Sequence, residues 1–159
     1  MNYIVIRYSE LALKGKNRNW FENLLMKNIR AHLIQIGEVK ITKVYGRIIV
    51  ENEAPLDDTI KVLKHIPGIA NFSVASPSTH EMEDLGRMSV QLYQDYKKDC
   101  GKPPKTFKIE TRRSAKETVL NSQQISAELG GVILNHDPEL NVKLVNPDVV
   151  LGVEIWSKN

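Results

Sequence analysis

VKITKVYGRIIVE, residues 39–51, contains two short runs rich in Val, Ile and Thr that meet at Tyr45-Gly46. β-Branched side chains suit a pleated, half-buried surface and glycine suits a tight reversal, so the stretch reads as a hairpin of strands 39–44 and 46–51. Upstream, Phe21, Leu24, Leu25, Ile29, Leu33 and Ile36 recur at three- and four-residue steps, which lays an apolar stripe along a helix from about Asn19 to Gly37. Asn19 and Glu22 have capping-box spacing at its start, and Gly37 supplies a stop. Before it, YIVIR (3–7) is a strand. Downstream, Asp57, Asp58 or Thr59 opens a short helix through His65, Pro67-Gly68 ends it, and IANFSVA (69–75) is a further strand. The order β-α-β-β-α-β predicts a ferredoxin-like unit, an antiparallel sheet with both helices on one face, closing by about residue 76.

The rest of the 159 residues forms a second unit. SPSTHEME (76–83) is polar and holds Pro77, as a linker would. Leu85, Met88, Leu92 and Tyr96 step along a helix that ends near Gly101, and TFKIET (106–111) alternates like a half-buried strand. Ile125, Leu129, Val132 and Ile133 mark a helix beginning at Asn121 or Ser122, and VKLV (142–145) and VVLGVEIW (149–156) are strands on either side of Pro147-Asp148. The expected architecture is α+β, with domains at 1–76 and 77–159.

The net charge of +3 is unevenly spread: residues 1–50 carry net +6, residues 51–100 net −4 and residues 101–159 net +1. Such asymmetry points to a polyanion. The loop RYSELALKGKNR joins the first strand to the first helix and brings Lys14, Lys16, Asn17 and Arg18 to a helix N-terminus, where unpaired N–H groups and the macrodipole favour anions. Lys105, Lys108, Arg112, Arg113 and Lys116 form a second cationic cluster around a strand and the loop before the next helix, with Ser122 at that helix start. In strand 106–111 alternation turns Lys108 outward. Arginine can grip phosphate in two places or stack on an exposed base, both useful for holding single-stranded RNA. Internal pairing of Glu10 with Arg7 or Lys14 is the competing reading of the first loop.

With these residues in view, RYSELALKGKNRNWFE resembles the start of the tRNA 4-thiouridine synthetases, and FKIETRR…NSQQISAELGGVIL…VKLVNPDVVLGVEIW is similar to a THUMP domain. The resemblance spans the chain and implies a ferredoxin-like domain followed by a THUMP-type α/β domain. It also implies binding of tRNA at the acceptor stem and 3′ CCA end, and presentation to a PP-loop catalytic domain in cis or in trans. ATP and a sulfur donor are implied for the full-length enzyme. The sequence holds no SGG motif before an Asp-Ser and no G-x-x-x-x-G-K-[ST], so the chain is expected to bind without chemistry or cofactor of its own.

Other readings stay open. An acylphosphatase-like enzyme would use a ferredoxin-like fold with Asn17 and Arg18 cradling phosphate, and a small-ligand or subunit-contact module would bury the basic loops in ion pairs. A homodimer is also open. Cys100 is the single cysteine, which excludes a disulfide within the chain, and the four histidines never fall at metal-ligand spacing, so no metal is expected. Gly130-Gly131 lies in a helical pattern and is expected to serve close packing or to weaken the helix rather than to cradle a nucleotide, with glycines facing RNA the other reading. Trp20 and Trp156 could stack bases, but burial in the helix–sheet interface or an interdomain seam is the expected fate of both. No apolar run approaches the ~20 residues of a membrane span, and a cytoplasmic protein is expected.

Overall fold

The computed structural model describes residues 1–9, 15–44, 46–114 and 119–157, and divides the chain into two compact units, Met1–Ala75 and Ser76–Asn159. In the first unit the elements are β1 (Asn2–Tyr8), α1 (Arg18–Leu33), β2 (Val39–Val44), β3 (Arg47–Asn52), α2 (Leu56–Leu63) and β4 (Ile69–Ala75), with a 3₁₀ turn at Gly15–Asn17 leading into α1. The four strands pair antiparallel in the order β2-β3-β1-β4, the ferredoxin-like arrangement. Alternation sets the inner face: Ile4, Ile6 and Tyr8 of β1 and Ile48 and Val50 of β3 meet Leu25, Ile29 and Leu33 of α1 in one buried cluster. The hairpin reverses at Gly46 with φ +78°, a conformation glycine takes without a Cβ clash.

Three local expectations are corrected. The apolar stripe of α1 is narrower than the periodicity suggested, because Leu24 and Ile36 are exposed. No capping box forms at Asn19 and Glu22: Asn17 is the cap residue, makes no side-chain cap bond, and Glu22 is buried within the fold. Helix α1 stops at Leu33 rather than Gly37, and Gly37 serves a close approach instead, since a Cβ there would lie 3.0 Å from the Ala54 nitrogen.

A buried polar knot ties β3 to α2. Asn52 Oδ1 accepts from Thr59 Oγ1 at 2.7 Å and from the Ala54 amide at 3.0 Å, while Asn52 Nδ2 donates to the Glu38 carbonyl at 3.0 Å. Asn52 and Thr59 are both wholly buried, so these bonds satisfy groups that would otherwise be costly to desolvate.

The second unit contains α3 (Met82–Asp99), β5 (Thr106–Arg113), α4 (Ser122–His136), β6 (Asn141–Val142) and β7 (Val149–Ile155), with a parallel sheet in the order β6-β5-β7. Both helices pack on one face of it: Phe107 meets Tyr93 and Ile133, and Val153 and Ile155 meet Leu85, Ile125 and Leu129. Helix α4 opens with a full capping box, Asn121 Oδ1 accepting from the Gln124 amide and Gln124 Oε1 from the Asn121 amide. The predicted strand 142–145 shrinks to a two-residue β6. Lys143 adds one more bond, its amide to the Phe107 carbonyl; then Leu144 and Val145 are exposed and Asn146, at φ 49°, turns the chain into Pro147. Asp148 closes that turn, accepting from the Lys105 and Thr106 amides while its own amide donates to Thr106 Oγ1.

The glycine pair of α4 is not a packing device. A Cβ at Gly130 or Gly131 would meet nothing within 4 Å.

Candidate nucleic-acid interface

In the first unit, Lys16 and Asn17 stand exposed on the 3₁₀ turn and Arg18 begins α1. Lys14 and Glu10 lie outside the described residues. Arg18 is not a free phosphate hand: its Nε donates to Glu22 Oε1 at 2.8 Å, although its side chain stays 53% exposed. The other oxygen of Glu22 takes Lys43 Nζ at 2.7 Å, from the facing strand β2. One buried carboxylate therefore positions two cations at this end of the unit, with Arg18 also lying against Gly46 of the hairpin. Burial is the strongest single influence on Glu22 and pushes its pKa up, but Lys43, Arg18 and Tyr8 around it together outweigh that and hold the carboxyl below the usual range. The Tyr8 hydroxyl is buried beside them without a hydrogen bond, and burial first, then the Glu22 charge, raises its pKa.

Glu22 and Lys43 were missed by sequence reasoning. A signal existed: Glu22 stands three residues before Leu25 and seven before Ile29, on the buried stripe, where an unpaired carboxylate would be costly.

In the second unit the cations separate by strand parity and position. Lys108 and Arg112 alternate onto the sheet face opposite the helices, aligned with Val150 and Glu154 of β7. Lys108 Nζ pairs with Glu110 Oε1 at 2.6 Å, and Arg112 is exposed. Arg113 turns the other way, and its Nη1 donates to the Leu120 carbonyl at 2.9 Å, fastening the approach to α4. Lys105 precedes the strand, so at ~3.3 Å per residue it sits about 23 Å from Arg112 rather than beside it. Ser122 is the first residue of α4, at the same end of the sheet as Arg112. Lys116 lies outside the described residues. The structure thus brings Lys108 and Arg112 onto one face and Arg112, Arg113 and Ser122 to one end, and leaves Lys105 at the other end.

Chemically, both regions offer cations on a rigid frame. Arg18 tied to Glu22 is a poor match for an acylphosphatase cradle, and exposed Lys16 and Arg112 do not fit a module whose basic loops are buried in ion pairs. No helix of the described residues is long and apolar enough to cross a membrane.

Comparison with known proteins follows the same division. A ThiI ferredoxin-like domain is recognised over residues 3–73 and a THUMP domain over residues 79–159. A probable tRNA sulfurtransferase of Thermoanaerobacter sp. (strain X514) is 39% identical over 152 residues, covering 96% of this chain, and this chain spans 38% of that protein's length. A 4-thiouridine synthetase crystallised with RNA and bound ATP superposes with a TM-score of 0.79 at 35% identity, over 97% of this chain and 38% of its own. A crystal structure from Pyrococcus horikoshii Ot3 gives a TM-score of 0.84 at 34% identity, over 99% of this chain and 52% of its own. With a ferredoxin-like sheet of order β2-β3-β1-β4 under one match and the capped α4 and parallel sheet under the other, the chain belongs to the ThiI family as its ferredoxin-like domain followed by a THUMP domain.

Proposed function

We propose that this chain binds tRNA as the substrate-recognition part of a 4-thiouridine-forming system and performs no chemistry itself. The observation that carries the reading is the likeness, at 35% identity over 97% of the chain, to a synthetase crystallised with RNA, a likeness that spans both units. Phosphate contacts from the exposed cations supply most of the affinity, and the acceptor stem with its 3′ CCA end is the recognised shape. Lys14, Lys16, Asn17, Arg18, Lys105, Lys108, Arg112, Arg113, Lys116 and Ser122 are the proposed contacts, with Lys43 added through Glu22. Arg113 contributes by shaping the loop before α4 as well as by charge. A PP-loop domain, in cis or in trans, supplies the thiolation with ATP and a sulfur donor.

The test is binding of an acceptor-stem minihelix with and without its CCA end, alongside ATP consumption. The chain should bind the CCA-bearing RNA more tightly and leave ATP unchanged in the presence of tRNA and sulfur donor. Equal binding of both RNAs would remove the end-recognition reading, and ATP-dependent thiolation by this chain would remove the division of labour.

A further inference from the structure

Trp20 was expected in the core, yet it is 67% exposed. The cause is a single residue of phase. Phe21, Leu25 and Ile29 face the sheet, and one residue of α-helix is about 100° of rotation, so Trp20 projects from the flank of that stripe into solvent. The same outward sector carries Asn23, Leu24 and Lys27 after it, and Lys16 stands on the 3₁₀ turn before it, all exposed. At ~1.5 Å rise per residue Lys27 lies about 10 Å from Trp20 along the axis, and Lys16, on the 3₁₀ turn that leads into the helix, lies to its other side. The single carboxylate of α1 is Glu22, and it is buried. An exposed indole with an exposed lysine to either side of it along the chain, and no exposed acid on its own helix, complements a strand that alternates bases with phosphates; an uncharged or basic protein surface would leave the lysines unmatched.

We propose that Trp20 is a stacking platform for one unpaired nucleobase of bound RNA, with Lys16 and Lys27 holding the phosphates that flank it. The inference rests on the RNA-binding reading above and adds a site to it. An indole accepts any base through its π face, so the platform favours unpaired nucleotides over duplex without selecting their sequence.

Two RNA hairpins test it, one blunt and one with four unpaired 3′ nucleotides, titrated into the intact chain and its Trp156→Phe, Trp20→Phe and Trp20→Leu variants. The overhang RNA should quench tryptophan fluorescence in the wild type and in Trp156→Phe, where Trp20 is the remaining indole. Trp20→Leu should bind the overhang RNA about ten-fold more weakly and Trp20→Phe about two-fold, in the range that loss of one stacked base produces, with blunt-hairpin affinity unchanged in both. Equal overhang affinity in wild type and Trp20→Leu, or unquenched Trp156→Phe, overturns the platform while leaving RNA binding intact. Equal losses in Trp20→Phe and Trp20→Leu also overturn it, since a ring would then hold no advantage. A wild type that binds neither RNA overturns the RNA-binding reading and the platform together.

Discussion

The first unit ties its elements together with polar groups in its interior, Glu22 between α1 and β2 and Asn52 between β3 and α2, whereas the second makes comparable ties with carboxylates nearer its surface. There Asp84 holds Ser78 and Thr79 to the start of α3, Asp137 takes Tyr93 and Lys97, and Asp148 clasps the start of β5. The bonds are alike in length. Their surroundings differ: Asn52 and Glu22 are buried, whereas the carboxylates of the second unit are more open to water, which can replace a lost partner there more readily. Polar ties are therefore structural commitments in the first unit and more replaceable fastenings in the second.

The largest effect expected from this contrast is at Asn52. Asn52→Ala removes three hydrogen bonds from a buried site: Thr59 Oγ1 keeps the Pro55 carbonyl and the Glu38 carbonyl keeps the Glu53 amide, but the Ala54 amide loses its acceptor and the side chain leaves a hole, which together should cost about 3 kcal/mol. Asp148→Ala removes two hydrogen bonds from an exposed turn, where water can take over both amides, and should cost markedly less. Urea unfolding of both variants, with hydrogen exchange assigning the loss to its unit, decides the matter; equal costs would mean that burial does not distinguish the two ties.

Glu22 comes next. Breaking a buried ion pair costs ~3–5 kcal/mol, but Arg18 and Lys43 keep 53% and 36% side-chain exposure and can turn to water, so Glu22→Gln should cost about 2 kcal/mol at neutral pH. Its pH dependence has a definite sign. The folded carboxyl titrates below its unfolded value of ~4.3, so the native state binds fewer protons than the unfolded one near that pH. The stabilisation is fully present above the unfolded value and is lost as pH falls through the folded value. The gap between wild type and Glu22→Gln should therefore close in acid, while the general acid sensitivity from the depressed Asp137 and Asp148 persists in both. A gap that stays constant to pH 3 would show that Glu22 acts by shape rather than by charge.

The frame of both units was legible because it rests on periodicity. Two-residue alternation in VKITKV and GRIIVE and the stripe Phe21-Leu25-Ile29-Leu33 report which side faces the core, and the Asn121–Gln124 spacing marks the start of α4. Details set by tertiary partners were not. Glu22 has the spacing of a cap residue, and its burial is compensated by Arg18 of its own helix together with Lys43 arriving from β2. The site was legible as charge but not as geometry, since sequence neighbours such as Arg112 and Arg113 point to opposite faces of a strand. Trp20 shows the reverse error: a residue type usually buried was judged by type, when its phase on the helix already placed it outside.

Between the cations of the second unit the difference is one of place. Under the proposed RNA binding, Arg112→Ala should remove about one phosphate contact, weakening binding and lowering the salt slope by ~0.7–0.9. Lys105→Ala, at the other end of the strand, should change the slope less if the RNA tracks the end that carries Ser122. Binding isotherms over a range of salt concentrations measure both, and equal slopes for the two variants would place the RNA along the whole strand.

The smallest effect is the most discriminating, because simple Coulomb reasoning and positioning predict opposite signs for it. Removing any negative charge near a polyanion should tighten binding slightly, and for Glu110 nothing opposes this: its partner Lys108 is released to phosphate from a pair in which Glu110 itself is 62% exposed. Glu110→Gln should accordingly raise RNA affinity about two-fold at low salt. Glu22→Gln removes the same charge, yet Glu22 is what aims Arg18 and Lys43 from two different elements, and side chains released from it must be ordered again when RNA binds. Its affinity should fall about two-fold, provided hydrogen exchange shows α1 and β2 still folded. If both substitutions tighten binding alike, Glu22 serves stability alone, and the buried carboxylate of the first unit has no more bearing on RNA than the exposed one of the second.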